Sequence, residues 1–183
     1  MSLLTMYGGL WTRREAAHLL RRTCFGATPA QIQQAVTDGL SGTVTKLFTA
    51  LPPPAHPIDP DTGVSYITGP IDPLKNNGAY NRYTKAWWAD LMVSGPISIR
   101  EKLTLFWHGH FTTGAQEERR ASLMWQQNEL HRRMAAGNFR EYVRQISRDP
   151  AMLDYLNNTQ NRKQKPNENY ARELLELHTM DAF

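Results

Sequence analysis

The sequence predicts an all-α fold, an irregular multi-helix domain with one long Pro/Gly-rich loop. Three observations carry that expectation. Capping signatures recur along the chain, with Thr or Ser standing three residues ahead of Glu or Gln. Apolar residues return at helical spacing behind them. Alternation of apolar and polar residues never persists past a few positions, so no strand competes. With 183 residues, 40% of them hydrophobic and 21% charged, the chain is long and apolar enough to bury a core, and it reads as a single helical domain over 1–183.

The first helix is expected from Arg13 to Cys24, where Thr12 caps an exposed N–H and Glu15 reaches back to the cap. Thr28-Pro29-Ala30-Gln31 repeats the device with proline at the first helical position, and Gly39 ends the second helix as a residue that accepts left-handed geometry. A third, from Ser41 to Ala50, carries Val44, Leu47 and Phe48 until Pro52-Pro53-Pro54 stops it. Seven of the eleven prolines fall between Pro52 and Pro73, so 51–79 is read as an irregular loop. Its length marks it as either functional or mobile. Helical spacing resumes from Ala79 to Val93 and breaks at Gly95-Pro96. Ser98-Ile99-Arg100-Glu101 is a further capping box, opening a helix that runs through Leu103, Phe106 and Trp107 to Gly109. A long helix is expected from Gln116 to Ala136. Asn138 then opens one with Phe139, Tyr142, Val143 and Ile146 inward, and Asp149-Pro150 caps a short one. After a polar connection over Asn157–Lys165, Pro166-Asn167-Glu168 starts the last helix, which is expected to reach the C-terminus.

Two clusters could carry chemistry. Phe106-Trp107-His108-Gly109-His110-Phe111 gathers two imidazoles and three aromatics at a helix end. At about 100° per residue His110 shares a face with Leu103, Phe106 and Trp107, while His108 points about 200° away. The pair can therefore hold one divalent metal only if the chain leaves helical geometry at Gly109, which glycine permits. Otherwise His110 is a core histidine and His108 a polar-face residue. In the last helix Glu168, Asn169, Arg172, Glu173, Glu176 and Thr179 occupy an arc of about 140°. That strip is either an ion-paired surface or the wall of a cleft in which carboxylates bind a metal or exchange protons.

Other chemistry finds little support. Glu15 and His18 have the spacing of a di-iron ligand pair, but no second copy exists. Arg14, His18, Arg21 and Arg22 form a basic stripe that suits an anion or a solvated face. The net charge is only +4, and from Glu117 onward 11 basic residues interleave with 10 acidic ones, so nucleic acid is not expected as a partner. Cys24 is the single cysteine, and neither Gly-x-Ser-x-Gly nor a phosphate loop occurs. No run approaches the roughly 18 apolar residues of a membrane span. The first residues lack a basic and apolar leader, leaving the localisation open and cytoplasmic by default.

Four segments together resemble the bacterial domain of unknown function family 1800 (DUF 1800). They are Ala16-Ala17-His18-Leu19-Leu20-Arg21-Arg22 with Phe25-Gly26-Ala27-Thr28-Pro29; Arg100 to Phe111; Gly137-Asn138-Phe139-Arg140 with Asp149-Pro150-Ala151-Met152-Leu153; and Pro166 to Leu177. The resemblance implies a mainly helical bacterial protein, often exported, of which this chain is the N-terminal part of a larger fold. It names no reaction. The leading expectation is a metal-assisted or acid/base enzyme whose cleft brings the metal ligands His108 and His110 near the catalytic Glu168, Arg172, Glu173 and Glu176, with Asn169 beside them, for a polar or anionic substrate. The rival is a noncatalytic scaffold or binding domain in which the same residues lock helices together.

Overall fold

The computed structural model describes residues 7–68, 77–114 and 120–180. Among them are eight α-helices and no sheet, so the fold is all-α. They are α1 (Arg13–Thr23), α2 (Pro29–Phe48), α3 (Asn77–Ser94), α4 (Arg100–His110), α5 (Ala121–Met134), α6 (Phe139–Ile146), α7 (Pro150–Tyr155) and α8 (Asn169–Glu173). No helix of the described residues is long and apolar enough to cross a membrane.

Local signals act where the sequence puts them. The Thr12 N–H donates to Glu15 Oε2 at 3.2 Å, and the Thr28 N–H to Gln31 Oε1 at 2.8 Å, completing both capping boxes. Asn138 and Asp149 cap α6 and α7 by accepting from the Glu141 and Met152 N–H groups. Gly39 takes a φ of 71° and a ψ of 173°, outside helical geometry, so the second and third expected helices meet at a kink there, within the span α2. The loop stays irregular over 51–68 apart from one isolated bridge, Ile58 to Ser65. Trp87 Nε1 donates to its Ala55 carbonyl at 2.9 Å, tying it to α3. The rest of the expected loop up to 76 lies outside the described residues, as do 116–119 of the expected long helix.

Two expectations are corrected. Ser98 accepts the Arg100 N–H at 3.2 Å, but Glu101 does not reach back to it, because its carboxylate is engaged elsewhere. The last helix is short: after α8 the backbone widens into a π-helical turn over Leu174–Thr179. That turn buries His178 and leaves Leu177 62% exposed.

Packing falls into two clusters. Ala16, Leu20, Ala35, Leu47 and Ile97 join α1, α2 and the approach to α4, and the Ile99 N–H donates to the Leu47 carbonyl at 3.0 Å. Phe111, Leu130, Tyr142, Ile146, Met152 and Leu156 form the second, with Trp107 against it. Between them α5 is central, touching α3, α4, α6 and α7.

Candidate functional site

The face of α5 turned toward α3 and α4 is polar. Leu123 and Leu130 set its helical period, yet Gln127, Asn128, His131 and Arg132 are buried in the same helix. A buried guanidinium demands a matched carboxylate. Glu101 of α4 supplies it: Arg132 Nε donates to Oε1 at 2.8 Å and Nη2 to Oε2 at 2.9 Å, a two-point contact that fixes both planes. Arg132 also reaches Glu129 and donates from Nη2 to Asn128 Oδ1 at 2.7 Å. Trp88 Nε1 of α3 donates to Glu101 Oε2 at 2.9 Å, so three helices meet at one carboxylate. Burial works to raise the Glu101 pKa, but the Arg132 hydrogen bonds and charge outweigh it and hold the group below its ordinary range. Glu129 moves the opposite way, raised chiefly by burial with Glu101 adding to it.

Beside this network an open pocket of about 210 Å³ is lined by Asn81, Thr84, Lys85, Trp88, His108, Thr113, Met124 and Asn128. His108 meets Trp88 edge-on, ring centroids 5.3 Å apart, and His131 at 5.8 Å. Burial lowers the His108 pKa, so its imidazole is neutral near pH 7. Asn128 and Thr113 are 5% and 4% exposed, and Asn128 Nδ2 and Thr113 Oγ1 have no hydrogen-bond partner. Behind them His131 Nδ1 shares a short hydrogen bond with the Tyr142 hydroxyl, and Gln127 Nε2 donates to Asp149 at 2.9 Å. Burial pushes the His131 pKa down to about 3.

The residues singled out in the sequence divide around α4. The helix continues through Gly109 to His110, so the condition for joint metal binding by His108 and His110 is not met and the rings point apart. His110 turns to the C-terminal turn, where its Nε2–H donates to the His178 carbonyl at 2.9 Å. A second pocket there is lined by His110, Glu173 and His178 together with Thr112 and Tyr155. Glu173 is therefore the one member of the acidic strip gathered with an imidazole. Glu168, Arg172 and Glu176 are exposed, and Arg172 pairs with Glu168 at 3.8 Å and Glu173 at 3.5 Å. Asn169 accepts from Arg172 at 2.7 Å. Among the described residues no group of three or more His, Cys, Asp or Glu side chains is placed to hold a metal ion.

Sequence reasoning missed Glu101 as a site residue by assigning it to a cap, and missed Asn128, His131 and Arg132 altogether. The available signal was their spacing: Asn128, His131 and Arg132 follow Met124 by four, seven and eight residues, inside the apolar period rather than opposite it.

A family model described as a protein of unknown function (DUF1800) matches residues 18–182. No curated protein and no solved structure matches the chain.

Proposed function

We propose a ligand-binding function for this chain, which belongs to the DUF1800 family, matched over residues 18–182. The pocket between α3, α4 and α5 binds a small polar molecule, and His108 exchanges a proton with it. One observation carries this reading. A neutral imidazole lines the same pocket as two buried polar side chains, Asn128 and Thr113, whose free atoms have no partner in the protein. Native interiors rarely leave such atoms unsatisfied, and each costs about 1–3 kcal/mol unless a water or ligand completes it. Neutral His108 can accept a hydrogen bond from a bound hydroxyl and take its proton as that oxygen attacks an electrophilic centre, while Glu101 and Arg132 hold Asn128 and Trp88 in place around it.

The test is an NMR screen of small polar molecules, neutral and anionic, against the 183-residue chain with isotope-labelled histidine and backbone. Hits are expected to move the His108 ring and the Thr113 and Asn128 signals together, and to lose that effect in His108→Gln. A screen in which no compound moves any of the three would rule the pocket out.

A second reading, a noncatalytic scaffold, is favoured by the two-point Glu101–Arg132 contact at the junction of α3, α4 and α5. It assigns the network to holding helices together. It is separated from the first by whether His108→Gln abolishes ligand response without lowering the melting temperature.

A further inference from the structure

We propose that this pocket recognises an oxyanion group, a carboxylate or phosphate, through the Asn128 amide and the Lys85 ammonium. The proposal rests on the ligand-pocket reading above and specifies the chemistry of what enters.

The argument begins with which way the Asn128 amide faces. A guanidinium carries donors only, so the amide atom 2.7 Å from Arg132 Nη2 must be the oxygen. Arg132 cannot turn away to relax that choice, because Glu101 grips it at two points and its side chain is 3% exposed. The amide nitrogen is thereby fixed on the other side, as a buried donor with no acceptor. Thr113 Oγ1, equally buried and unpartnered, supplies a hydroxyl that can donate as well. Both side chains line the pocket, so each can present a donor to whatever enters.

Charge agrees with hydrogen bonding. Lys85 is the one charged side chain among the described residues lining the pocket, and no carboxylate lies among them. The nearest acidic group in the network, Glu101, sits behind Trp88 and is already engaged by Arg132, Trp88 and Arg100. Two buried donors and a cation, with no carboxylate among the described lining residues, favour an oxyanion over an ammonium ion, and the cation favours it over a neutral amide. The volume of about 210 Å³ suits a small molecule or the charged end of a larger one.

The experiment follows the Asn128 side-chain amide and the Thr113 backbone amide in the labelled full chain during titration with sodium acetate, sodium phosphate and acetamide, with sodium chloride as the ionic-strength control. Acetate or phosphate is expected to move both signals saturably, and the stronger of the two identifies the oxyanion. Acetamide is expected to bind at least about tenfold more weakly, the range of one charge-assisted hydrogen bond. Asn128→Asp keeps an oxygen for Arg132 and replaces the donor with a negative charge, so oxyanion binding should fall by about tenfold or more. Lys85→Gln, on an exposed position, should weaken it several-fold with the fold untouched. Equal binding of acetate and acetamide, or Lys85→Gln binding oxyanions as the unaltered chain does, would overturn the oxyanion assignment and leave the pocket reading standing. Silence toward all three probes, with neutral compounds inert as well, would remove both.

Discussion

The two hydrophobic clusters are built to different rules. Around Leu20 and Leu47 the interior is apolar, and the buried Thr43 hydroxyl of α2 is satisfied by the Ala35 and Gly39 carbonyls at 3.0 and 2.7 Å. Around Phe111 and Tyr142 the interior is shared with Gln127, Asn128, His131, Arg132 and Asp149. Every buried side-chain atom without a partner among the described residues falls between Thr113 and His178. The first cluster is a core that stability alone explains. The second carries local penalties that stability does not explain, and sites of function are where such penalties concentrate.

The sharpest way to break that contrast is to remove one partner from each side. Glu101→Ala leaves Arg132 buried and short of its main counter-charge, and is expected to cost about 3–5 kcal/mol. Leu20→Ala, a clean deletion from the apolar cluster, is expected to cost about 2–5 kcal/mol. Urea denaturation measures both. The polar cluster differs because Glu101→Gln, which keeps the shape, should still be strongly destabilising. A near-neutral Glu101→Gln would make the network ornamental.

Acid sensitivity should come from the same cluster. His131 is held neutral with its pKa near 3, against an ordinary 6.5, because burial penalises its charged form. The unfolded chain therefore binds a proton that the native chain refuses: His131 contributes its full stabilisation above pH 6.5 and loses it as pH falls toward 3, at up to about 1.4 kcal/mol per pH unit. His108 and His178, also lowered by burial, act in the same direction, and Glu129, raised by burial, acts in the opposite one. Stability measured from pH 7 to 4.5 should decline, and the decline should be shallower in His131→Gln. An unchanged slope would mean that His131 is not the neutral buried group described.

A smaller gain is expected at Gly109, where a β-carbon would meet nothing within 4 Å and the backbone is already helical. Gly109→Ala should stabilise by about 0.5–1 kcal/mol, read as a rise in melting temperature. Smallest of all are Glu168→Gln and Glu176→Gln on the exposed strip, expected to stay within about 0.5 kcal/mol of the unaltered chain by the same measurement.

What could be read from the sequence follows from how local each signal is. Thr12, Thr28, Asn138 and Asp149 declare their helices because a cap is decided within one turn. Gly39 declares its bend for the same reason. Ser98 and Glu101 carry the same signature, yet Arg132, 31 residues away, takes the carboxylate that the cap would use. The wide turn at Leu174–Thr179 likewise has no local marker, and it upsets any reading of faces at 100° per residue beyond Glu173. The angular argument did hold at the one place where the helix stays regular: His108 and His110 diverge as the periodicity requires. The pocket residues were hidden because Asn128, His131 and Arg132 look like ordinary polar helix positions until the partners from α3 and α4 are known.

Since Gly109 does not interrupt it, α4 works as a septum with an imidazole on either side. A histidine-directed alkylating reagent admitted to one compartment should mark His108 and spare His110, or the reverse. The two rings then report two chemically separate rooms, each of which can be labelled, blocked or altered without entering the other.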